Sequence, residues 1–322
     1  MLLLGHDHHI KLFRELAESG RLPHAFMMAG RGGIGKGSFA QKAALWLLSL
    51  PQYRQQGLEI AENSPLHAFM AAGVVPDLLI IGERAEEDQH KDISVNAVRE
   101  VEPFLRLTPS GNGWRVVIID HANNLNRSGQ NALLKIIEEP PPQTVIFLVC
   151  DKPGMMLPTI RSRCRLLEFS PLSDEHVQQV LLRHHPTLAP QQLPSIAALA
   201  HGSAGTALAI ATHHGDEWLQ KLLNLINNPN RKGNIAAIFA LGEAVAESSA
   251  KHNIAAELLL HYLYTQAKEA ALQEKIQALA FWLAIWEKIN KIFADVNNLA
   301  LDRRAAWQIA LGHLLSNNAI KS

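Results

Sequence analysis

Short apolar runs alternate with helical patterns over about the first 170 residues of the chain. Five runs predict buried strands: Ala25–Gly30, Asp77–Gly82, Trp114–Asp120, Thr144–Cys150 and Cys164–Pro171. The segments between them are typical of helices, with clear examples at Lys36–Leu50 and Ile93–Leu107. Continuous apolar strands separated by helices indicate an α/β fold, in which a parallel sheet is covered on both faces.

Strand-like runs disappear after Pro171. Three short helices are predicted at Ser173–His184, Gln191–His201 and Ser203–His213, and the pattern from about Asp216 onward is wholly helical. In the last part, one apolar helix face is predicted by a recurrence at spacings of four and three: Leu272, Ile276, Leu279, Leu283 and Trp286. We therefore predict an α/β domain over 1–170, a three-helix lid over 171–214 and an all-α domain over 215–322.

Charge and composition narrow the classes of function. Lys and Arg together number 30, as do Asp and Glu, so the formal net charge is zero. A protein that binds nucleic acid on its own usually has a strongly basic face, although a local basic patch remains compatible with this balance. The apolar start is too short for a signal peptide, no run approaches the ~20 apolar residues of a membrane helix, and Cys150 and Cys164 form no pattern. We expect a reduced, cytoplasmic protein with no membrane partner.

A phosphate-loop pattern follows the first strand. Gly30, Gly35 and Lys36 fit the phosphate-loop pattern G-x-x-x-x-G-K. In this motif the backbone N–H groups converge on the phosphates and the lysine reaches the β- and γ-phosphate oxygens. The next residue is Gly37, where a Ser or Thr hydroxyl would bind Mg²⁺, and Ser38 lies about 100° further round the helix. A relic or weak nucleotide site is favoured over a ligand-free glycine turn, and productive binding of Mg–ATP is disfavoured.

The third strand ends in Asp120-His121, at the place of a Walker B element. An aspartate there holds Mg²⁺ and a following acidic residue polarises the attacking water. Asp120 fits the first role, whereas His121 replaces the acidic residue, although a histidine can act as a general base. The alternative is that Asp120 only ends a strand and binds nothing.

Three segments of the sequence carry a family resemblance. HAFMMAGRGGIGKGS, followed by NALLKIIEEPP (Asn131–Pro141) and TIRSRC (Thr159–Cys164), resembles the bacterial clamp-loader AAA+ subunits. The resemblance implies an AAA+ P-loop domain, a lid and a C-terminal helical collar in a five-subunit ring that loads a sliding clamp on primed DNA. It also implies that Arg163, held by Ser162 and Cys164, is an arginine finger for the ATP site of a neighbouring subunit. The alternative for Arg163 is a surface salt bridge.

Three departures from the family pattern favour a non-hydrolysing subunit over a motor subunit. Gly37 and His121 replace catalytic residues, and Gly205 stands where the lid's sensor arginine is expected. The implied partners are the motor subunits and the delta subunit, with the clamp and primed DNA reached through the assembly. Two rivals stay open: a subunit that hydrolyses ATP with Ser38 and His121, and a scaffold that needs ATP bound for its shape.

Metal sites are not predicted. The stretch 51–76, where many clamp-loader subunits carry a four-cysteine zinc module, contains no cysteine, and His67 alone cannot hold zinc. The histidines at 6, 8 and 9 are interpreted as solvated rather than as ligands. We therefore expect no zinc and no resident cofactor, with ATP binding left open.

Overall fold

The computed structural model describes residues 3–82, 93–227, 235–299 and 301–316. The strands are β1 (Ala25–Ala29), β2 (Leu78–Ile81), β3 (Arg115–Ile119), β4 (Thr144–Cys150) and β5 (Arg165–Glu168). The helices of the first half are α1 (Asp7–Glu18), α2 (Lys36–Leu48), α3 (Leu66–Ala71), α4 (Val95–Arg99), α5 (Val101–Arg106), α6 (Arg127–Glu138) and α7 (Pro158–Arg161). Those that follow are α8 (Asp174–His184), α9 (Gln192–Ala200), α10 (Ala204–His213), α11 (Gly215–Asn227), α12 (Ile235–Ala246), α13 (Ser249–Leu272), α14 (Ile276–Leu299) and α15 (Arg303–Ser316).

The five strands form one parallel sheet in the order β2-β3-β4-β1-β5. Every residue of β1, β3 and β4 is buried, because helices cover both faces of the central strands. Consecutive residues of β1 point to opposite sides, so Phe26 and Met28 pack with α1 and α2, whereas Met27 packs with α4, α6 and α7. The predicted parallel α/β sheet and the helices after it are confirmed.

The described residues group into two compact units. The N-terminal unit runs to Val180 and includes His201–Gly205, and the C-terminal unit comprises Leu181–Ala200 and the described residues from Thr206 onward. This grouping does not test the three-domain division at residues 170 and 214, which stays a prediction. No described helix combines the length and the apolar character that crossing a membrane requires.

The structure corrects one predicted helix. The segment Ile93–Leu107 forms two short helices, α4 and α5, rather than one. Pro103 is the reason, because its ring nitrogen has no hydrogen to donate to the carbonyl of Arg99 and its ring crowds that carbonyl.

The predicted apolar face from Leu272 to Trp286 does not lie on a single helix and is not the face that α14 buries. The chain leaves the helix between α13 and α14, where Glu274 has a φ of 57°, and the Leu272 and Ile276 side chains are 76% and 78% exposed. The buried face of α14 is a different stripe, made of larger side chains: Trp282, Ile285, Ile289, Phe293 and Val296. The sequence contains two apolar stripes, and α14 buries the one that runs from Trp282 to Val296.

A buried histidine lies at the centre of the C-terminal unit. The His252 side chain is 1% exposed, packs edge-on against Phe293, and accepts a hydrogen bond at Nδ1 from Trp307 Nε1 at 3.0 Å. Its Nε2 has no partner among the described residues. Burial, followed by the nearby charge of Arg303, lowers the pKa of His252 from 6.5 to about 4.

This depressed pKa predicts a loss of stability in mild acid. His252 takes up a proton near pH 6.5 in the unfolded chain but only near pH 4 in the folded unit. The stability that neutral His252 contributes is therefore complete above pH 6.5 and is lost as the pH falls from 6.5 to 4. The lowering corresponds to about 3 kcal/mol of unfolding free energy. Amide hydrogen exchange of α13 and α15 should show that the unfolding free energy falls with falling pH, and this dependence on pH should be weaker in His252→Phe.

A matched control separates this histidine from the others. His184→Gln alters an exposed histidine and should leave the slope unchanged. An equally steep slope in His252→Phe and the parent chain would contradict the assignment.

Candidate functional site

The phosphate-loop residues lie at the carboxyl end of β1, between that strand and α2. The loop depends on glycine at Gly30 and Gly35, which have φ values of 150° and 101°. A Cβ added at Gly30 would lie 2.5 Å from the carbonyl oxygen of Phe169, so a side chain has no room there. The predicted loop geometry is therefore present in this part of the chain.

The lysine of the loop is engaged within its own chain. Lys36 is 3% exposed, and its Nζ donates to the carbonyl oxygens of Gly30 at 2.7 Å and Arg31 at 2.5 Å and to Asp151 Oδ1 at 2.7 Å. An ammonium group has three donors and no acceptor, so these partners use all of them. To reach a phosphate, Lys36 would have to give up bonds that it already makes.

Asp151 belongs to this site and was not singled out in the sequence. It follows β4, the strand next to β1, so both residues come to the carboxyl edge of the sheet. Its backbone N–H donates to Asn123 Oδ1 at 3.0 Å, which fixes its position. An acidic residue directly after a buried parallel strand was the available signal, since Asp120 occupies the same position after β3.

The segment His201–Gly205 packs against the outside of the loop. Gly205 N–H donates to Gly33 O at 2.8 Å, and Ser203, which is fully buried, donates from Oγ to Gly32 O at 3.0 Å. A Cβ added at Gly205 would lie 2.9 Å from Gly33 Cα. No side chain fits at this position, which is where the family resemblance leads one to expect a sensor arginine.

The Walker B position lies opposite Gly37. A Cβ added at Gly37 would lie 3.7 Å from Asp120 Oδ2, so the missing hydroxyl would face this carboxylate. Asp120 Oδ1 instead accepts the backbone N–H of His121 at 2.9 Å. His121 has a φ of 49°, and its Nδ1 lies 3.9 Å from Asp151 Oδ2. The magnesium-binding geometry therefore keeps one carboxylate and lacks its hydroxyl partner.

Arg163 lies at the surface, after the short helix α7. Its Nη1 donates to Thr159 O at 3.1 Å and approaches Ser162 Oγ at 3.5 Å, and its Nη2 pairs with Glu138 Oε1 at 2.9 Å. The Arg163 and Glu138 side chains are 41% and 40% exposed, so the ion pair is solvent-exposed. Such pairs contribute about 0–1 kcal/mol, and the guanidinium is thus held only weakly in its own domain.

The two residues beside Arg163 support its backbone. Ser162 Oγ donates to Thr159 O at 3.0 Å and closes the end of α7. Cys164 is half-buried against the core on the α6 side of the sheet, and burial raises the pKa of its thiol to about 12. A thiol that stays protonated at neutral pH is a packing group rather than a nucleophile.

Arg163 and the phosphate loop lie at opposite edges of the same sheet. In the pairing of β1 with β5, Phe26 is level with Arg165 and Ala29 with Glu168. Arg163 therefore precedes the amino end of β5, whereas the loop follows the carboxyl end of β1. At about 3.3 Å per residue, the strands alone separate the two by roughly 13 Å.

The interpretation of the N-terminal histidines as solvated is wrong for His6. This residue is 2% exposed, its Nε2 lies 2.7 Å from Ile34 O, and its ring packs edge-on against Phe169. Burial lowers the pKa of His6, although the bond to Ile34 partly offsets that effect. The His6 ring therefore helps to hold the phosphate loop in place through its contact with Ile34.

The family model and the relatives that match this chain all describe DNA polymerase III subunits. A family model described as "DNA polymerase III, delta subunit" matches residues 5–173, just over half of the chain. The chain is 32% identical over 197 residues to DNA polymerase III subunit delta' of Pseudomonas aeruginosa, and 32% identical over 201 residues to that of Escherichia coli. It is also 26% identical over 254 residues to the E. coli subunit tau, covering 76% of this chain and 38% of that one.

These alignments are partial. They cover 61% and 62% of this chain for the two delta' subunits, and the chain spans only 58% of the length of each of them. Among solved structures, a DNA polymerase III gamma subunit-related protein from Thermotoga maritima matches with a TM-score of 0.51 at 16% identity, over 95% of this chain and 98% of that one. At that identity the likeness shows a shared fold.

Proposed function

Because this chain belongs to the DNA polymerase III delta-subunit family and has delta' subunits among its relatives, we propose that it is a clamp-loader subunit that does not hydrolyse ATP itself. In this proposal it supplies Arg163 as a finger to the ATP site of a neighbouring motor subunit. A planar guanidinium that stays charged is suited to neutralise the γ-phosphate during transfer.

The observation that carries the proposal is the position of Arg163. The residue lies at the amino edge of its sheet, on the surface, while its own phosphate loop lies at the carboxyl edge. An arginine placed this way can serve a phosphate only on another chain. Its pairing with Glu138 costs little to break because both side chains are in contact with water.

The chain's own nucleotide site supports the other half of the proposal. Lys36 donates all three of its hydrogen bonds within the chain, Gly37 offers no hydroxyl to a magnesium ion, and Gly205 replaces the lid arginine. Each change removes a different contact that ATP hydrolysis requires. Together they favour a subunit that acts on its neighbour's nucleotide.

The partners follow from the same proposal. The motor subunits and the delta subunit would contact this chain directly, and the sliding clamp and primed DNA would be reached through the assembly. The exposed apolar side chains of Leu272, Ile276 and Leu283 fit a collar interface, which in a permanent complex is large and apolar. We place the protein in the cytoplasm, where free thiols such as those of Cys150 and Cys164 persist.

The isolated chain tests the non-hydrolysing half of the proposal. We expect no ATP turnover by the purified protein with Mg²⁺ beyond that of the Lys36→Ala variant. The site lacks both the side-chain hydroxyl that would bind Mg²⁺ and the acidic residue that would polarise the attacking water. A coupled phosphate-release assay measures this. Turnover that depends on Lys36 would instead favour a subunit that hydrolyses ATP itself, with Ser38 and His121 as the residues to examine next.

A further inference from the structure

A cavity of about 400 Å³ lies within the C-terminal unit, at the end of α10 and the start of α11. Its apolar lining consists of Leu188, Ile196 and Ala211. Its polar lining includes Asp216 at the start of α11. The cavity therefore suits a ligand with an apolar part and a polar end.

Asp216 lines this cavity without a partner. The residue as a whole is 5% exposed, and in the part of the chain that the structure describes its side chain has no hydrogen bond or ion pair. Neither carboxylate oxygen is among the fully buried atoms that lack a partner, so the carboxylate is open to the cavity. The first turn of α11 carries partial positive charge, but a helix terminus balances only part of a full negative charge. The carboxylate therefore faces the cavity without a counter-charge among the described residues.

The other titratable side chains that line the cavity have contacts of their own. His185 Nε2 lies 3.3 Å from Thr212 Oγ1, and His214 Nδ1 lies 3.8 Å from Glu217 Oε1. None of them is within ion-pair distance of Asp216. Of the two carboxylates that line the cavity, Asp216 is therefore the one without a charged partner among the described residues, because Glu217 lies 3.8 Å from His214 Nδ1 and 3.6 Å from Lys221 Nζ.

We propose that this cavity binds an organic cation, an ammonium or guanidinium group on a short alkyl chain, with Asp216 as the counter-ion. The cation would pair with this carboxylate, and its alkyl part would lie against Leu188 and Ile196. A metal ion fits less well, because the cavity is far larger than an ion and no three His, Cys, Asp or Glu side chains among the described residues could hold one. The proposal is independent of the clamp-loader function.

Two probes test the site on the full chain. Agmatine represents a diffusible amine, and N-acetyl-arginine-amide represents an arginine side chain of a partner protein. Calorimetry should show saturable binding of at least one probe, weakened at least tenfold by Asp216→Asn. Glu269→Gln, which alters an exposed acidic residue of α13, should bind like the parent chain, and neutral N-butylurea should not bind.

The outcomes separate the two sources. Binding of agmatine alone supports a small amine, and binding of the arginine derivative at least as tightly supports a partner's side chain. Equal binding of N-butylurea, or no saturation by either probe up to 10 mM (a limit of roughly 3 kcal/mol of binding free energy), would overturn the proposal.

Discussion

Replacing Arg163 by alanine is expected to slow ATP hydrolysis at the neighbouring subunit's site by about 10³-fold, the low end of the range for an arginine finger. The guanidinium would neutralise charge that develops on the transferred phosphoryl group, and an alanine offers no charge there. The measurement is DNA-stimulated ATP turnover of a reconstituted loader in which this interface alone is competent. The isolated chain should stay folded, because Arg163 makes only surface contacts.

Two matched variants show whether the effect belongs to this guanidinium. Arg161→Ala removes an exposed arginine two residues earlier and should leave turnover unchanged. Glu138→Gln removes the charged intrachain partner of Arg163 and should keep or raise turnover, because the guanidinium is then held less strongly in its own domain. Arg163→Lys keeps the charge but loses the planar fork and should recover only part of the rate.

Some results would exclude the finger role. Unchanged turnover in Arg163→Ala would mean that the residue is a surface arginine paired with Glu138. A loss of turnover in Glu138→Gln as large as in Arg163→Ala would assign the effect to the local structure of the α6–α7 surface instead.

The sheet could be predicted because its strands are continuous apolar runs. A run such as Thr144–Cys150 has no polar face, and this pattern is typical of a strand covered on both sides. The order of the strands is not contained in any one run, since it depends on which helices pack on which face. The phosphate loop and Arg163 could likewise be located by their motifs, because each is a short segment with a fixed position relative to a strand or helix.

The contacts that define the site were harder to predict from the sequence. Asp151 meets Lys36 across 115 positions of sequence, and Ser203 meets Gly32 across 171. Each partner looks ordinary alone: an aspartate after a strand and a serine before a helix. His252 and Asp216 are similar cases, because burial gives each its importance and burial is decided by tertiary packing.

The helical half shows a different limit. Periodicity identified an apolar stripe at Leu272, Ile276 and Leu283, but those side chains are exposed and a second stripe is buried. A hydrophobic pattern reports which faces are apolar, without saying whether the chain itself or another protein covers them. The same ambiguity is expected wherever one helix of a subunit carries both a core face and an interface face.

Replacing Asp151 by asparagine is expected to destabilise the N-terminal unit by about 3 kcal/mol. The change leaves the Lys36 ammonium buried, 3% exposed, with two carbonyl oxygens and no counter-charge. Removing one partner of a buried pair costs about 3–5 kcal/mol, and the low end applies because the Asp151 side chain is 29% exposed. Amide exchange in β1 and β4 during urea titration measures the unit that contains the pair.

The double variant Lys36→Met with Asp151→Leu separates lost charge from lost packing. It removes both charges and should return to within about 1 kcal/mol of the parent chain, since apolar replacement of a buried pair is often neutral. Asp120→Asn is the matched control at the adjacent strand end and should cost less than about 0.5 kcal/mol, because a neutral oxygen there can still accept the His121 N–H. If Asp151→Asn were as stable as the parent chain, Lys36 would not depend on that carboxylate. The lysine would then be free to bind a phosphate, and the inert site on which the proposed function relies would have to be abandoned.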